Sequence, residues 1–130
     1  MADGIVLLGA NSYQEKYYFN PLFDELPQDI KDELKIMSVL FTEKCGGIFT
    51  MSFMSDGTLT IQTAAGDYDF YYDEIEARLC VQELQDEKKE LFGQLELYYK
   101  IKFLNEGWEE LSEASGIPVE ELKNGEKHDA

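Results

Sequence analysis

Apolar positions along this chain change period several times, and each change marks an element. Residues 4–10 (Gly-Ile-Val-Leu-Leu-Gly-Ala) are a short apolar run closed by Asn11-Ser12, which predicts a strand. The aromatic run 15–20 predicts a second strand folded back on it, ended by Pro21, which offers no N–H to a ladder. One helical turn across 12–18 is the competing pattern. Pro27 followed by Gln28-Asp29 reads as a helix start, with an acid near the positive end. Ile30 and Leu34 lie one turn apart. Beyond Leu34 two periods coexist. Met37 and Phe41 continue the helical spacing, while Met37, Val39 and Phe41 alternate with Ser38, Leu40 and Thr42. The expectation is a short helix over 27–34 and a strand over about 35–43, with a continued helix as the alternative. Lys44-Cys45-Gly46-Gly47 closes either one.

Period two is plain over 47–54, where Phe49, Met51 and Phe53 face one way and Ile48, Thr50 and Ser52 the other. Ser55-Asp56-Gly57 predicts a hairpin turn, and Thr58 to Thr63 a returning strand. Tyr68 to Tyr71 adds a short edge strand after the break at Gly66-Asp67. From Asp73 the period becomes helical. Asp73 with Glu76 matches a variant capping box, and Ala77, Val81, Leu84, Leu91, Leu95 and Tyr98 form one apolar stripe. The spacing predicts one helix over 73–105, about 45 Å long, with Gly93 as a bend or close contact. Gly107 ends it. Trp108, Leu111 and Ile117-Pro118-Val119 suggest a short helical appendage.

These elements predict an α+β fold: an antiparallel meander sheet of about four to six strands, covered by one long C-terminal helix. Residues 1–123 form a single domain and 124–130 a disordered acidic tail. Because residues 91–104 carry apolar groups around more than one helical face, a homodimer through that stretch is expected. Cover by the appendage around Trp108 and Leu111 is the competitor.

Charge narrows the function classes. The chain has 130 residues, 27 acids against 11 lysines and arginines, and a formal net charge of −16. Direct nucleic-acid binding is not expected, since it needs a basic face to displace counterions, and an anionic membrane repels such a chain as well. The apolar run Ile5-Val6-Leu7-Leu8 follows Asp3 and is too short for a signal peptide or a span. Cys45 and Cys80 lack CxxC spacing and read as reduced thiols of a cytoplasmic protein.

Chemical motifs are sparse. His128 is the sole histidine and falls in the tail, so triads and His-based zinc sites lack a held imidazole. No GxGxxG, Walker A or GxSxG pattern occurs. Asp67, Asp69, Asp73 and Glu74 supply oxygens for a cation, yet the EF-hand glycine and glutamate are missing. The plain reading is an edge strand with outward acids and an N-cap at Asp73. No catalytic, cofactor-binding or metal-ligating residue is assigned. Adjacent aromatics (Tyr17-Tyr18-Phe19, Tyr71-Tyr72, Tyr98-Tyr99) each send one ring inward and one outward, and outward tyrosines suit a protein partner.

The blocks Leu7-Leu8-Gly9-Ala10-Asn11-Ser12-Tyr13, Glu25-Leu26-Pro27, Ile30 to Ile36, Cys45-Gly46-Gly47-Ile48 and Leu95-Glu96-Leu97-Tyr98-Tyr99 resemble a family of uncharacterised short acidic bacterial proteins, a domain of unknown function. The resemblance covers roughly residues 5–105 and implies no activity, cofactor or site. A looser likeness to small toxin-immunity proteins lies in the order of elements and the acidic surface. The function expected is a non-enzymatic acidic interaction module for a basic protein partner. The alternative is a small-ligand or enzymatic domain around Asp67, Asp69, Tyr71, Asp73, Glu74 and Cys80.

Overall fold

The computed structural model describes residues 4–128. Strands β1 (Ile5–Asn11) and β2 (Lys16–Phe19) form the first hairpin, and a 3-10 turn (Pro21–Phe23) leads to helix α1 (Gln28–Cys45). Strands β3 (Ile48–Phe53) and β4 (Leu59–Ala64) form the second hairpin. Its turn holds Gly57 at φ 93°, with the Met54 amide donating to Thr58 O at 2.7 Å. Helices α2 (Glu74–Glu87) and α3 (Lys89–Tyr99), a π turn (Lys100–Leu104), α4 (Trp108–Ser115) and α5 (Val119–His128) complete the chain.

The sheet is antiparallel throughout, in the order β2-β1-β3-β4. It is not a meander. The two hairpins meet at β1 and β3, with α1 crossing between them. One face, with Leu8, Ala10, Phe49, Met51 and Phe53, is buried under the helices, and the other presents Gly9, Thr50, Ser52, Thr60 and Gln62. Leu7 and Leu8 are both fully buried because a bulge between Val6 and Leu8 breaks the alternation.

Three expected elements differ. Residues 35–43 are helical, not a strand. Leu34, Met37, Ser38, Phe41 and Thr42 are the buried set, spaced as a helix face. The inward hydroxyls are satisfied by their own helix: Ser38 donates to Leu34 O at 2.8 Å and Thr42 to Val39 O at 2.9 Å. The segment 68–71 is a turn, not an edge strand, and Tyr68 takes φ 65°. The long helix over 73–105 is broken at Lys88 (φ −106°, ψ 20°), while α3 runs through Gly93, where a Cβ would meet only open space rather than a close contact.

Several of the distal apolar residues are covered from within the chain. Leu91, Phe92, Leu95 and Tyr99 are buried within the chain. Phe23 sits among Phe53, Tyr98, Tyr99 and Phe103, with ring centroids 5.3 to 6.4 Å apart. Gly107, at φ 81°, sets the following turn against Leu97 and Ile101. Of the Tyr98-Tyr99 pair, Tyr99 is the inward ring, stacked on Phe53 at 4.5 Å. Residues 124–128, within the expected tail, continue α5, and 129–130 lie outside the described residues.

Candidate functional site

Helices α1 and α2 lie antiparallel. The early part of α1 meets the end of α2 where Lys88 pairs with Glu33 at 2.9 Å, and the last residue of α1 meets α2 where Cys45 approaches Cys80. Between them runs an open groove of about 600 Å³. From α1 it takes Asp29, Asp32, Glu33, Ile36, Met37, Leu40, Phe41 and Lys44, and from α2 Cys80, Glu83, Leu84 and Glu87, with Lys88 at the junction. Both sets follow three- and four-residue steps, so each is one helix face. Met37, Phe41 and Cys80 form a buried floor. Ile36 and Leu40 stand 61% and 56% exposed on one wall. Five carboxylates and two lysines surround this apolar strip, and one lysine is already paired with Glu33.

Local sequence explains the placement. Pro27 caps α1, its carbonyl accepting from Ile30 N and Lys31 N at 3.1 and 3.0 Å. Asp73 caps α2, its carboxylate accepting from Ile75 N and Glu76 N at 3.0 and 3.1 Å. Gly46 and Gly47, at φ 72° and 77°, turn the chain from α1 into β3. Ser12 fixes that turn by donating to Gly47 O from both amide and hydroxyl, at 3.0 and 2.9 Å.

At the Lys44 end of the groove, the Cys45 thiol donates to Cys80 Sγ at 3.0 Å. Burial, and then the Cys80 and Glu76 neighbours, push the Cys45 thiol from 9.0 up to about 12. The two sulfurs and a Glu76 carboxylate oxygen lie within 4.8 Å of one another.

The acidic-aromatic segment is a different place. Asp73 is committed to the cap. Asp69 accepts from the Tyr13 hydroxyl and from Tyr71 N at 3.2 Å, and the same Tyr13 hydroxyl accepts from Gly66 N at 2.8 Å. That carboxylate raises the Tyr13 pKa. Asp67 and Glu74 are exposed, and among the described residues the acids of this segment form no group of three converging oxygens. Tyr71 is 98% exposed, whereas Tyr72 is half-buried against Gly47. His128 ends α5. Of the candidate site residues Asp67, Asp69, Tyr71, Asp73, Glu74 and Cys80, only Cys80 lines the groove, while Met37, Phe41, Lys44 and Leu84 reach it as residues read from the sequence only as element pattern. Ile36, Leu40 and the acids at 29, 32, 33, 83 and 87 lack a motif, and their shared signal is helical spacing alone.

Among the described residues no helix is long and apolar enough to cross a membrane. Residues 4–107 match a family described as a family of unknown function (DUF6145). No curated protein and no solved structure matches the chain. The looser likeness to toxin-immunity proteins is not among these matches.

Proposed function

The chain belongs to the DUF6145 family, and from that premise we propose a non-enzymatic role: an acidic interaction module that receives a basic, amphipathic helical segment of a partner protein between α1 and α2. The carrying observation is an apolar floor ringed by five carboxylates and only two lysines. Apolar side chains at three- and four-residue steps suit such a floor, and flanking lysines or arginines suit the rim. From Asp29 to Lys44 the groove is about 22 Å long at the helical rise, which matches four turns of a bound helix.

A second copy of the chain is the poorer occupant. Twofold pairing sets the same acidic rim against itself, and like charges at close range oppose association. The homodimer expected through residues 91–104 also has less to cover, because Leu91, Phe92, Leu95 and Tyr99 are already buried within the chain. A reducing, cytoplasmic setting suits this reading, in which both thiols stay free.

The test uses a synthetic lysine-leucine amphipathic peptide and its glutamate-leucine counterpart. Amide shifts on α1 and α2, binding that weakens as salt rises, and no response to the acidic peptide support the reading. Ile36→Asp and Leu40→Asp, at exposed positions that spare the core, should each weaken binding by about tenfold or more. Shifts confined to the 66–72 segment, or unchanged binding in both variants, would overturn it.

A further inference from the structure

We propose that Cys45, Cys80 and Glu76 form a binding site for a thiophilic divalent cation of the zinc class, at the end of the α1–α2 groove. The three groups come from two helices that the fold holds together. Cys45 is the last residue of α1, while Glu76 and Cys80 lie four residues apart on one face of α2. Their ligand atoms already stand within 4.8 Å of one another. Zinc–sulfur bonds of about 2.3 Å at a tetrahedral angle set the two sulfurs about 3.8 Å apart. The observed 3.0 Å therefore opens by less than about 1 Å on metal binding, within the reach of two side-chain rotations. Glu76 is exposed and free to swing its carboxylate onto the ion. Two thiolates and a carboxylate make a trianionic set that favours a soft divalent ion over magnesium or calcium, and water takes the fourth position.

The carboxylate separates this reading from a plain disulfide. A disulfide has no use for Glu76, whereas a cation does, and the protein's negative field concentrates cations at its surface. Binding releases the two thiol protons to solvent, with no oxidant or reductant required.

The experiment titrates the reduced full-length protein with cobalt(II), then displaces it with zinc(II). The expected result is one cobalt per chain, with thiolate-to-cobalt charge-transfer and tetrahedral d–d absorption, both bleached by zinc. Cys80→Ser should abolish the charge-transfer band. Glu76→Gln, at an exposed position, should retain the circular dichroism and weaken zinc binding by roughly tenfold or more, a scale on which even supporting groups act at metal sites. Should Cys80→Ser misfold, alkylation of the unaltered protein decides: zinc should shield both thiols from iodoacetamide. Absence of the charge-transfer band, unchanged affinity in Glu76→Gln, or full alkylation in the presence of zinc sinks the proposal.

Discussion

Replacing Phe23 by alanine should be among the most damaging single changes in this molecule. Phe23 is fully buried, yet it sits in a three-residue turn. Its ring centre lies 5.3 Å from Phe53 and 5.4 Å from Phe103 in tilted or edge geometry, with Tyr99 and Tyr98 at 6.3 and 6.4 Å. Burying a phenyl group contributes up to about 3 kcal/mol, and the cavity left behind raises the cost of truncation to about 3–5 kcal/mol. Each good aromatic pair adds up to about 1 kcal/mol, which places Phe23→Ala near the top of that range. A domain of this size is stable by about 5–15 kcal/mol in all, so the variant forfeits a third or more of it. Urea unfolding, followed by Trp108 fluorescence and far-ultraviolet circular dichroism, measures the loss. Phe70→Ala is the control: the same residue type, 86% exposed, with an expected change within about 0.5 kcal/mol. A loss below about 2 kcal/mol for Phe23→Ala, or equal losses for the two variants, would refute the role assigned to the aromatic cluster.

Gly47→Ala should cost about 2 kcal/mol or more, because φ is 77° and a Cβ there would stand 2.6 Å from Ala64 O. A lowered thermal midpoint reads it. Glu96→Ala removes the carboxylate that accepts from Leu59 N at 2.8 Å, a loss of about 1.5–3 kcal/mol for a charged partner, and hydrogen exchange at the Leu59 amide should quicken. Burial raises the Tyr17 hydroxyl from 10.0 to about 12, and burial together with Glu25 raises Tyr98 as well. The unfolded chain then loses these protons first, so stability is full below pH 10 and falls as pH climbs through about 12. Phenolate absorbance should carry a late component near pH 12 that Tyr17→Phe diminishes. An absorbance curve left unchanged by that substitution counts against the burial.

Parts of this architecture are legible in the sequence wherever a short-range rule acts. Asp56-Gly57 fixes a turn, Pro27 and Asp73 fix helix starts, and the alternation over 47–54 matches the buried face of β3. The segment 35–43 is not legible, because Ser38 and Thr42 look polar to a period-two reading. A helix can bury them by closing their hydroxyls on its own carbonyls. The break at Lys88 carries neither glycine nor proline, so no local signal announces it. The groove exists only once α1 is a helix lying beside α2, and a strand reading sends Leu40 away from its wall. The meeting of Cys45 with Cys80, distant in sequence and without paired spacing, has the same tertiary origin.

The sheet order has a kinetic consequence. Each hairpin pairs residues close in the chain, as Leu8 with Phe19 and Phe53 with Leu59. The central seam instead joins Ile5 to Phe53, with β2 and all of α1 between them. Closing that seam costs chain entropy before any contact across it is gained, and such non-local pairing slows folding. Forming α1 early shortens the span to be closed, since 18 helical residues cover only about 27 Å. Truncations at the seam, such as Met51→Ala, should therefore act on the refolding rate. Truncations on the outer strands, such as Ile61→Ala, should act mainly on unfolding. The assembly of this protein then resembles the joining of two preformed halves, with the crossing helix setting the clock.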